Sequence, residues 1–463
     1  MLSKELCQKV LQEMLTTGGD FAEIYEQKRD VCSYQMINGV VEEANSGTQY
    51  GIGLRIYQGF SSVYAYTNLN NEEDLLRTAR DLAQSVEGVS SVEALPLEEV
   101  VFEDIHKAEK RPCEYSAKYK LDFLHQINEA TLAYDTIIKK AITNYSEQEE
   151  DVLIANSTGK YIHDNRIRVR IGASAVAADE TRMQDAIAGP GAHMGLEFFD
   201  TIDPKELGEH VAEIAKTMFY AEECPSGVMD VVIGNKFGGV IFHEACGHAL
   251  EATSVAKNQS VFANKIGTKI AADCVSAVDD ATIPHAWGSN NIDDEGNFTK
   301  RNLLIENGIL KGYLVDQLNG RRMNCESSGS GRRQNYKFEP TSRMSNTFIL
   351  NGRDTFEEMI ANTQFGLYAK SMGGGSVDPS TGDFNFSVSE GYMIRDGKIA
   401  EPVRGATLVG NGAKVLMNID MVGDNLARAQ GMCGSVSGNV PTDVGQPVIR
   451  VRNMTVGGRG GAL

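Results

Sequence analysis

The sequence has no hydrophobic run that approaches the length of a membrane-spanning helix. Its start, Met1–Cys7, also has neither the basic residues nor the apolar stretch of a signal peptide. This start predicts an amphipathic helix that is capped by Ser3. Because these features argue against a membrane-spanning or exported protein, we expect a cytoplasmic one.

Basic residues are scarce relative to acidic ones, with 44 Lys and Arg against 63 Asp and Glu and a formal net charge of −19. This excess of negative charge disfavours nucleic acid or an anionic membrane as the main partner. The eight cysteines are scattered and form no C-x-x-C pair. In a long chain without an export signal we expect them to be reduced.

The pattern of the first half predicts an α+β arrangement of strands and helices. Strands are predicted at 21–37, 40–57, 151–156 and 160–178, and helices at 71–86, 115–133 and 204–219. Asn38-Gly39 is typical of a hairpin turn. The best boundary is Cys224–Gly227, so we expect an N-terminal α/β domain over 1–223 and a β-rich C-terminal domain over 224–463.

The second half is predicted to be mostly β, apart from one helix that follows a strand at 228–233. Asn307-Gly308 and Asp396-Gly397 predict further hairpins. The glycine runs at 373–375 and 434–438 are interpreted as loops near a site, where backbone approaches something closely. Asp293-Asp294-Glu295-Gly296 is interpreted as an ordinary turn.

The predicted helix carries the pattern H-E-x-x-x-H, from His243 and Glu244 to His248. Imidazole is a good zinc ligand, and a carboxylate beside a zinc site is a good general base. The spacing is unusual, because residues at i and i+5 diverge by about 140° on an ideal helix. Either the two histidines are unrelated, or the helix is bulged or broken near Cys246-Gly247 so that they converge.

A catalytic zinc normally has three protein ligands, so a third ligand is needed. Candidates by residue type are Glu251, Cys246, His285, the acidic run at 293–295 and Cys433. Glu251 lies one helical turn after His248 and could instead support that ligand. Cys433 lies between glycines, in what we interpret as a tight loop. The residues alone do not decide between Glu251 and Cys433.

The chain resembles the TldD/PmbA family of metallopeptidases, also called the modulator-of-DNA-gyrase family, and it is most similar to the TldD side. The resemblance covers nearly the whole chain. It rests on the H-E-x-x-x-H segment and on a series of further segments in the same order: 291–296, 304–313, 373–378, 403–408 and the Cys433-Gly434 segment.

The resemblance implies a zinc peptidase that acts on unfolded peptides or small proteins. It implies His243, His248 and Cys433 as zinc ligands and Glu244 as the catalytic base, with water as the nucleophile. It also implies an N-terminal α/β domain, a β-rich C-terminal domain, and pairing with a PmbA-type (TldE-like) subunit, or else a homodimer. His285, Arg343 and Tyr336 are candidates for a group that assists the oxyanion.

Two other functions fit parts of the sequence. One is a non-catalytic metal-binding or scaffolding subunit of a peptidase complex, against which the intact Glu244 argues. The other is a redox sensor that uses Cys433 or Cys246 as a reactive thiol. Metal analysis and peptide turnover separate these readings from the peptidase.

Overall fold

The structure is a computed structural model that describes residues 1–89, 92–378 and 381–462. Its α-helices are α1 Lys4–Met14, α2 Glu72–Ala83, α3 Ala117–Ala133, α4 Pro204–Tyr220, α5 Val240–Ala245, α6 Ala252–Val255, α7 Gln317–Met323, α8 Phe356–Ala361 and α9 Gly412–Met417. Its 3₁₀ helices are Pro112–Glu114, Leu196–Thr201, Lys236–Gly239 and Gly247–Leu250. Within these ranges, the structure contains no helix that is both long and apolar enough to cross a membrane.

The β-strands outnumber the helices, which agrees with the α+β class predicted from the sequence. They are β1 Phe21–Ile37, β2 Val40–Gln58, β3 Ser61–Thr67, β4 Glu98–Val100, β5 Ile138–Asn156, β6 Lys160–Ala178, β7 Met183–Ala188, β8 Gly191–Ala192, β9 Glu222–Glu223, β10 Gly227–Ile233, β11 Ala277–Asp280 and β12 Arg301–Glu306. The remaining strands are β13 Ile309–Leu310, β14 Gly331–Arg332, β15 Thr341–Ser342, β16 Asn346–Ile349, β17 Phe365–Val377, β18 Asp383–Arg395, β19 Lys398–Arg404, β20 Thr407–Asn411, β21 Ile419–Val422, β22 Ala427–Ser435, β23 Gly438–Gln446 and β24 Ile449–Gly457.

The first sheet has eight strands in the order β3-β2-β1-β5-β6-β4, with β7 and β8 also paired to β6. The hairpin between β1 and β2 turns at Asn38 and Gly39, which both have positive φ. A two-residue turn of this kind matches the twist of the flanking strands, and it confirms the predicted hairpin. The predicted boundary at 223–224 falls between α4 and β10.

The two faces of the first sheet have different partners. Val169 and Ile171 of β6 point to one face, where they pack against α3 and α4 through residues such as Phe123 and Val211. Helices α1 and α2 cover the far end of the sheet. The opposite face contacts the second half of the chain, for example where Ile154 meets Ile292. The N-terminal sheet is therefore sandwiched between its own helices and the C-terminal half.

The second half forms two main sheets around one large core. In one of them, strands β17, β10, β24, β20 and β18 pair in that order, and a further pairing of β17 with β18 closes these five strands into a ring. The other sheet has the order β13-β12-β11-β16-β23-β22, so that β22 is an edge strand. Helix α5 is buried in the core that these two sheets share.

The structure corrects the interpretation of the two glycine runs as loops. Gly373, Gly374 and Gly375 lie within strand β17, paired with β18. The run at 434–438 is the tight end of the β22–β23 hairpin, in which Ser435 pairs with Gly438. Close approach explains particular glycines in each run: a Cβ would lie 2.2 Å from the carbonyl oxygen of Asn385 at Gly375 and 2.5 Å from Cβ of Gln334 at Gly438, whereas at Gly374 it would meet nothing within 4 Å.

Asp293-Asp294-Glu295-Gly296 forms a turn, as predicted, but the turn is not an ordinary surface turn, because its three acidic residues are buried. They face arginines that project from the first sheet. Asp294 lies 2.6 Å from Arg166, and Glu295 lies 2.9 Å from Arg55. The turn therefore joins the two halves of the chain through the ion pair of Asp294 with Arg166 and the hydrogen bond that Arg55 donates to Glu295. A pattern of turn-forming residues does not reveal these buried contacts.

The network is short of positive charge around Glu295. Arg55 is shared between Glu295 and Glu23, and Asp293 and Asp316 lie close by. Burial, together with these carboxylates, raises the pKa of Glu295 to about 8, although Arg55 acts in the opposite direction. The folded protein therefore retains a proton at Glu295 that the unfolded chain loses at a lower pH.

Glu295→Gln tests this proton. The pKa of Glu295 in the folded protein is raised above its ordinary value of 4.5. The stabilisation from the Glu295 proton is therefore complete below pH 4.5 and is lost as the pH rises through about 8. One such group changes the unfolding free energy by at most about 1.4 kcal/mol per pH unit. We therefore expect the free energy of unfolding, measured with denaturant, to fall less for Glu295→Gln than for the parent between pH 4.5 and about pH 8. A slope equal to that of the parent and of the exposed control Glu306→Gln would contradict the assignment.

Candidate metal centre

Helix α5 ends at Ala245, and this ending decides where the two motif histidines point. Cys246 leaves the helix with φ −130° and ψ −47°, and the chain continues as the 3₁₀ helix Gly247–Leu250. The predicted break near Cys246-Gly247 is confirmed. It places the imidazoles of His243 and His248 with ring centroids 5.1 Å apart and planes at 85°, whereas a continuous helix would turn them apart.

The break is supported by the close packing of Gly247. A Cβ at this position would lie 2.1 Å from Sδ of Met344. A second close approach holds the end of α5, because a Cβ on Gly412 would lie 2.1 Å from the carbonyl oxygen of Ala245. Sequence reasoning missed Met344 and Gly412, since a single methionine and a single glycine far along the chain carry no recognisable pattern.

Cys433 completes a cluster with the two histidines. Its Sγ lies 3.2 Å from Nε2 of His243 and 3.4 Å from Nε2 of His248. Cys433 lies on strand β22, two residues before the hairpin turn, and not in the predicted loop. His243 and Cys433 are 3% and 5% exposed, so the donor atoms converge in the protein interior.

The donor atoms of these three residues fit a single metal ion. They all lie within 4.8 Å of one another. Zinc bonds of about 2.0–2.3 Å in tetrahedral geometry separate neighbouring donors by roughly 3.4–3.7 Å, which is close to the two sulfur–nitrogen distances. Two imidazoles and one thiolate are also a donor set that zinc accepts.

The two glutamates of this region have different positions. Glu244 is partly exposed, and its Oε2 lies 3.6 Å from Nε2 of His248 at the border of the cluster. Glu251 is buried, and its Oε1 lies 3.2 Å from Nδ1 of His248, on the other side of the ring. Glu251 therefore orients the imidazole so that Nε2 faces Cys433. This is the arrangement of a supporting carboxylate rather than of a ligand.

The electrostatics of the cluster favour a thiolate. Burial alone would raise the pKa of the Cys433 thiol, but the neighbouring His243 and His248 lower it to about 3. Burial likewise opposes protonation of His248, yet the Glu251 carboxylate and Cys433 raise its pKa. Cys246 differs, because burial raises its pKa and its side chain lies outside the cluster. A thiolate is the form of cysteine that binds metals.

The other candidate residues lie elsewhere. His285 contacts His106 and the carbonyl of His193, and Tyr336 packs in a small core beneath the first sheet. Arg343 is fully buried, donates a hydrogen bond to the carbonyl oxygen of Cys433, and lies 4.0 Å from Glu251. Arg343 thus holds the strand of Cys433 in place, while His285 and Tyr336 are not part of the cluster.

The fold and the cluster define a class of α/β proteins with a buried two-histidine, one-cysteine site of metal-binding type. Comparison with known proteins makes this specific. The profile described as the PmbA/TldA metallopeptidase C-terminal domain matches residues 226–458, and those for the central domain and domain 1 match 110–219 and 22–86. The chain belongs to the PmbA/TldA metallopeptidase family.

Individual relatives agree with this assignment. The chain is 34% identical to the metalloprotease TldD homolog of Buchnera aphidicola over 97% of this chain and 95% of that protein. It is 28% identical to the zinc metalloprotease TldD homolog of Saccharolobus solfataricus over 56% of this chain and 58% of that protein. The crystal structure of TldE from Thermococcus kodakarensis superimposes with a TM-score of 0.77 at 17% identity, covering 98% of this chain and 100% of that one, and so shares the fold.

Gly247→Ala tests whether the break depends on the contact with Met344. The added methyl group must displace a buried side chain, which costs about 1–3 kcal/mol of unfolding free energy. We expect a lower midpoint of thermal unfolding for Gly247→Ala. Gly47→Ala is the matched control, because a Cβ on Gly47 in strand β2 meets nothing within 4 Å. If both variants unfold like the parent, the proposed role of Gly247 is wrong.

Proposed function

We propose that the chain is a zinc-dependent peptidase that cleaves unfolded peptides or small proteins with water as the nucleophile. The observation that carries this proposal is the convergence of His243, His248 and Cys433 beside the carboxylate of Glu244. Family membership and the printed names of the relatives support the same function.

In this proposal Nε2 of His243, Nε2 of His248 and Sγ of Cys433 hold the metal. Zinc bound there would supply positive charge that polarises the peptide carbonyl and makes water more acidic. The side chain of Glu251 keeps Nε2 of His248 directed at the cluster, and Arg343 fixes the backbone of Cys433. These two contacts preorganise the donors, so that little rearrangement is needed on metal binding.

Glu244 is the proposed general base. Its carboxylate takes a proton from the attacking water and then gives it to the amine that leaves. The position of Glu244 suits this role, because the residue precedes the helix break and is partly exposed beside His248. Glu251 is unsuited to it, since its buried carboxylate is engaged on the other side of the imidazole.

We also propose that the protein works in the cytoplasm as a dimer, with a PmbA-type (TldE-like) subunit or with a second copy of itself. The shared fold of TldE supports this, because a subunit of the same shape can form an equivalent interface. Light scattering of the purified chain, alone and co-expressed with a PmbA-type protein, measures the mass. A monomeric mass under both conditions would exclude the proposed pairing. Fractionation of cells tests the location, and the protein is expected in the cytoplasmic fraction.

Metal analysis tests the ligand set. We expect about one zinc per parent chain, and a large loss of zinc from Cys433→Ser and from His243→Ala, because three protein ligands are the usual minimum for a catalytic zinc. The exposed cysteine variant Cys325→Ser should keep its zinc and serves as the control. Equal zinc content in Cys433→Ser and the parent would remove Cys433 from the proposed ligands.

Peptide turnover tests the base. Glu244→Gln removes the proton acceptor and keeps the size of the side chain, so kcat should fall by about 10²–10⁴-fold while zinc content is retained. The control is Glu357→Gln, which changes an exposed glutamate on helix α8. Undiminished cleavage by Glu244→Gln would show that Glu244 is not the base. Absence of turnover in zinc-loaded parent protein would favour the non-catalytic alternative.

A further inference from the structure

A polar cavity of about 380 Å³ lies between the first sheet and the β22–β23 hairpin. The hairpin contributes Met432, Asn439, Val440 and Pro441 to its wall. Successive side chains on a strand point to opposite faces. Because Cys433 faces the histidines, Met432 faces away from them. The cavity thus lies across the hairpin from the candidate metal centre.

The floor of the cavity is a row of arginines on strand β6. Arg166, Arg168 and Arg170 occupy alternate positions and share one face, while Ile167 and Val169 point to the helix-covered face. Their partners on β5 are all polar: Glu150, Gln148 and Ser146. The alternation R-I-R-V-R in the sequence indicates a strand with one charged face. That this charged face is buried is unexpected, because charged side chains are usually exposed.

Positive charge dominates the lining. Six arginines border the cavity, against two carboxylates, Glu150 and Asp294. Both carboxylates are already engaged, Glu150 with Arg29 at 3.3 Å and Asp294 with Arg166 at 2.6 Å. Arg333 in turn pairs with Glu23 at 2.7 Å. These ion pairs neutralise Arg29, Arg166 and Arg333 and leave Arg168, Arg170 and Arg332.

Arg168 and Arg332 are 3% and 4% exposed, yet neither forms an ion pair with any described residue. Arg168 donates to the carbonyl oxygens of Trp287 and Ser289 and to Oδ1 of Asn290. Arg332 donates to the carbonyl oxygens of Met344 and Pro441. Neutral acceptors orient a guanidinium but do not cancel its charge. A buried charge without a counter-charge is costly.

The buried carboxylate of Asp279 interacts with Arg332, but it accepts hydrogen bonds from Ser345 and Thr347, and burial raises its pKa towards the neutral form. Two further titratable groups near these arginines do not supply the missing charge either. Nδ1 of His193 lies 3.4 Å from Arg168. Burial, and to a lesser extent the charge of Arg168, lower the pKa of His193, so the imidazole stays neutral. Asp443 is paired with Arg428 at 3.0 Å. Burial, with the charges of Arg166 and Arg332, lowers the pKa of Arg168 to about 9. The lining of the cavity therefore carries an excess of positive charge, in a protein whose net charge is −19.

We propose that this cavity is a binding site for an oxyanion, a carboxylate or a phosphate, held by the guanidinium groups of Arg168 and Arg332 with Arg170 at its border. Guanidinium groups match the planar spacing of oxyanion oxygens and form strong charge-assisted hydrogen bonds with them. Gln148, Asn290 and Ser146 add neutral groups for the remaining oxygens. The sources of this chemistry are a small anion and the carboxylate of a peptide.

The site has room for more than the anion itself. Arg168 and Trp287 also line a second cavity of about 330 Å³, which extends along strands β1, β2 and β5. Two residues of the cavity wall also contact the strand of Cys433: Trp287 donates to the carbonyl oxygen of Gly431 at 2.8 Å, and Arg170 donates to that of Gln430 at 3.3 Å. The proposal concerns binding alone and does not depend on peptide hydrolysis.

Isothermal titration tests the site with three probes: inorganic phosphate, an N-acetylated peptide with a free C-terminal carboxylate, and the same peptide as its C-terminal amide. The zinc-loaded Glu244→Gln protein is used so that no peptide is consumed. We expect saturable binding of phosphate, of the free-carboxylate peptide, or of both. The amide should bind more weakly than the free-carboxylate peptide, because it can occupy only the proposed substrate site, and phosphate should not compete with it. Binding of phosphate but not of the free-carboxylate peptide identifies a site for small anions. Binding of the free-carboxylate peptide identifies a peptide C-terminus as the occupant.

Cavity variants locate the binding. Arg168→Gln and Arg332→Gln should each weaken it at least tenfold, since each removes charge-assisted hydrogen bonds. The half-buried Arg170→Gln gives a second readout if a fully buried variant does not fold. Arg450→Gln is the control, because Arg450 is comparably buried but pairs with Asp420 at 2.8 Å away from the cavity. No saturable binding of phosphate or carboxylate, or equal binding by the folded cavity variants and the control, would overturn the proposal.

Discussion

The buried polar contacts between the first sheet and the turn at 293–295 are the interaction on which the rest of the structure depends. Arg55 and Arg166 reach from the sheet to Glu295 and Asp294 with almost no exposure to solvent. Charges so placed are strongly coupled, and removal of one partner leaves another buried and unpaired. The turn belongs to the long segment between β11 and β16, so these contacts fix where the sheet of β16, β23 and β22 lies. The position of Cys433 follows from that sheet.

The candidate metal centre is built from two pieces of different character. His243 lies on the short buried helix α5, which ends at Ala245, and His248 lies on the 3₁₀ helix that follows the break at Cys246. Cys433 comes from an edge strand whose outer backbone is held by side chains, including Arg343 and Trp287. The helical segment supplies two donors that are five residues apart, and the strand supplies the third donor 185 residues further along the chain. Polar contacts that surround Cys433 thus connect the centre to the arginine-lined cavity beyond the hairpin.

Much of the fold could be predicted from local pattern. The strands around Asn38-Gly39 and the hairpin at Asn307-Gly308 were predictable, because turn chemistry and period-two alternation are local properties. The strand at Gly373–Gly375 was not, because a run of glycines lacks the alternation of side chains that marks a strand. The burial of Asp293–Glu295 was not, because it is set by Arg55 and Arg166, far away in sequence. For the site, spacing alone left the histidine pair doubtful, and resemblance to a family was needed to choose Cys433 over Glu251. The roles of Met344 and Gly412 depend on packing, which the sequence does not encode locally.

The separation of the three donors along the chain has a consequence for biosynthesis. His243 and Cys433 are 190 residues apart, and the strand that carries Cys433 pairs with β23, which comes still later in the sequence. While the ribosome is translating the intervening segment, the two histidines have no sulfur partner, and the proposed centre cannot assemble. The proposed centre thus remains incomplete on nascent chains and on fragments that end before β22, so its assembly reports that the C-terminal sheet has been made and folded.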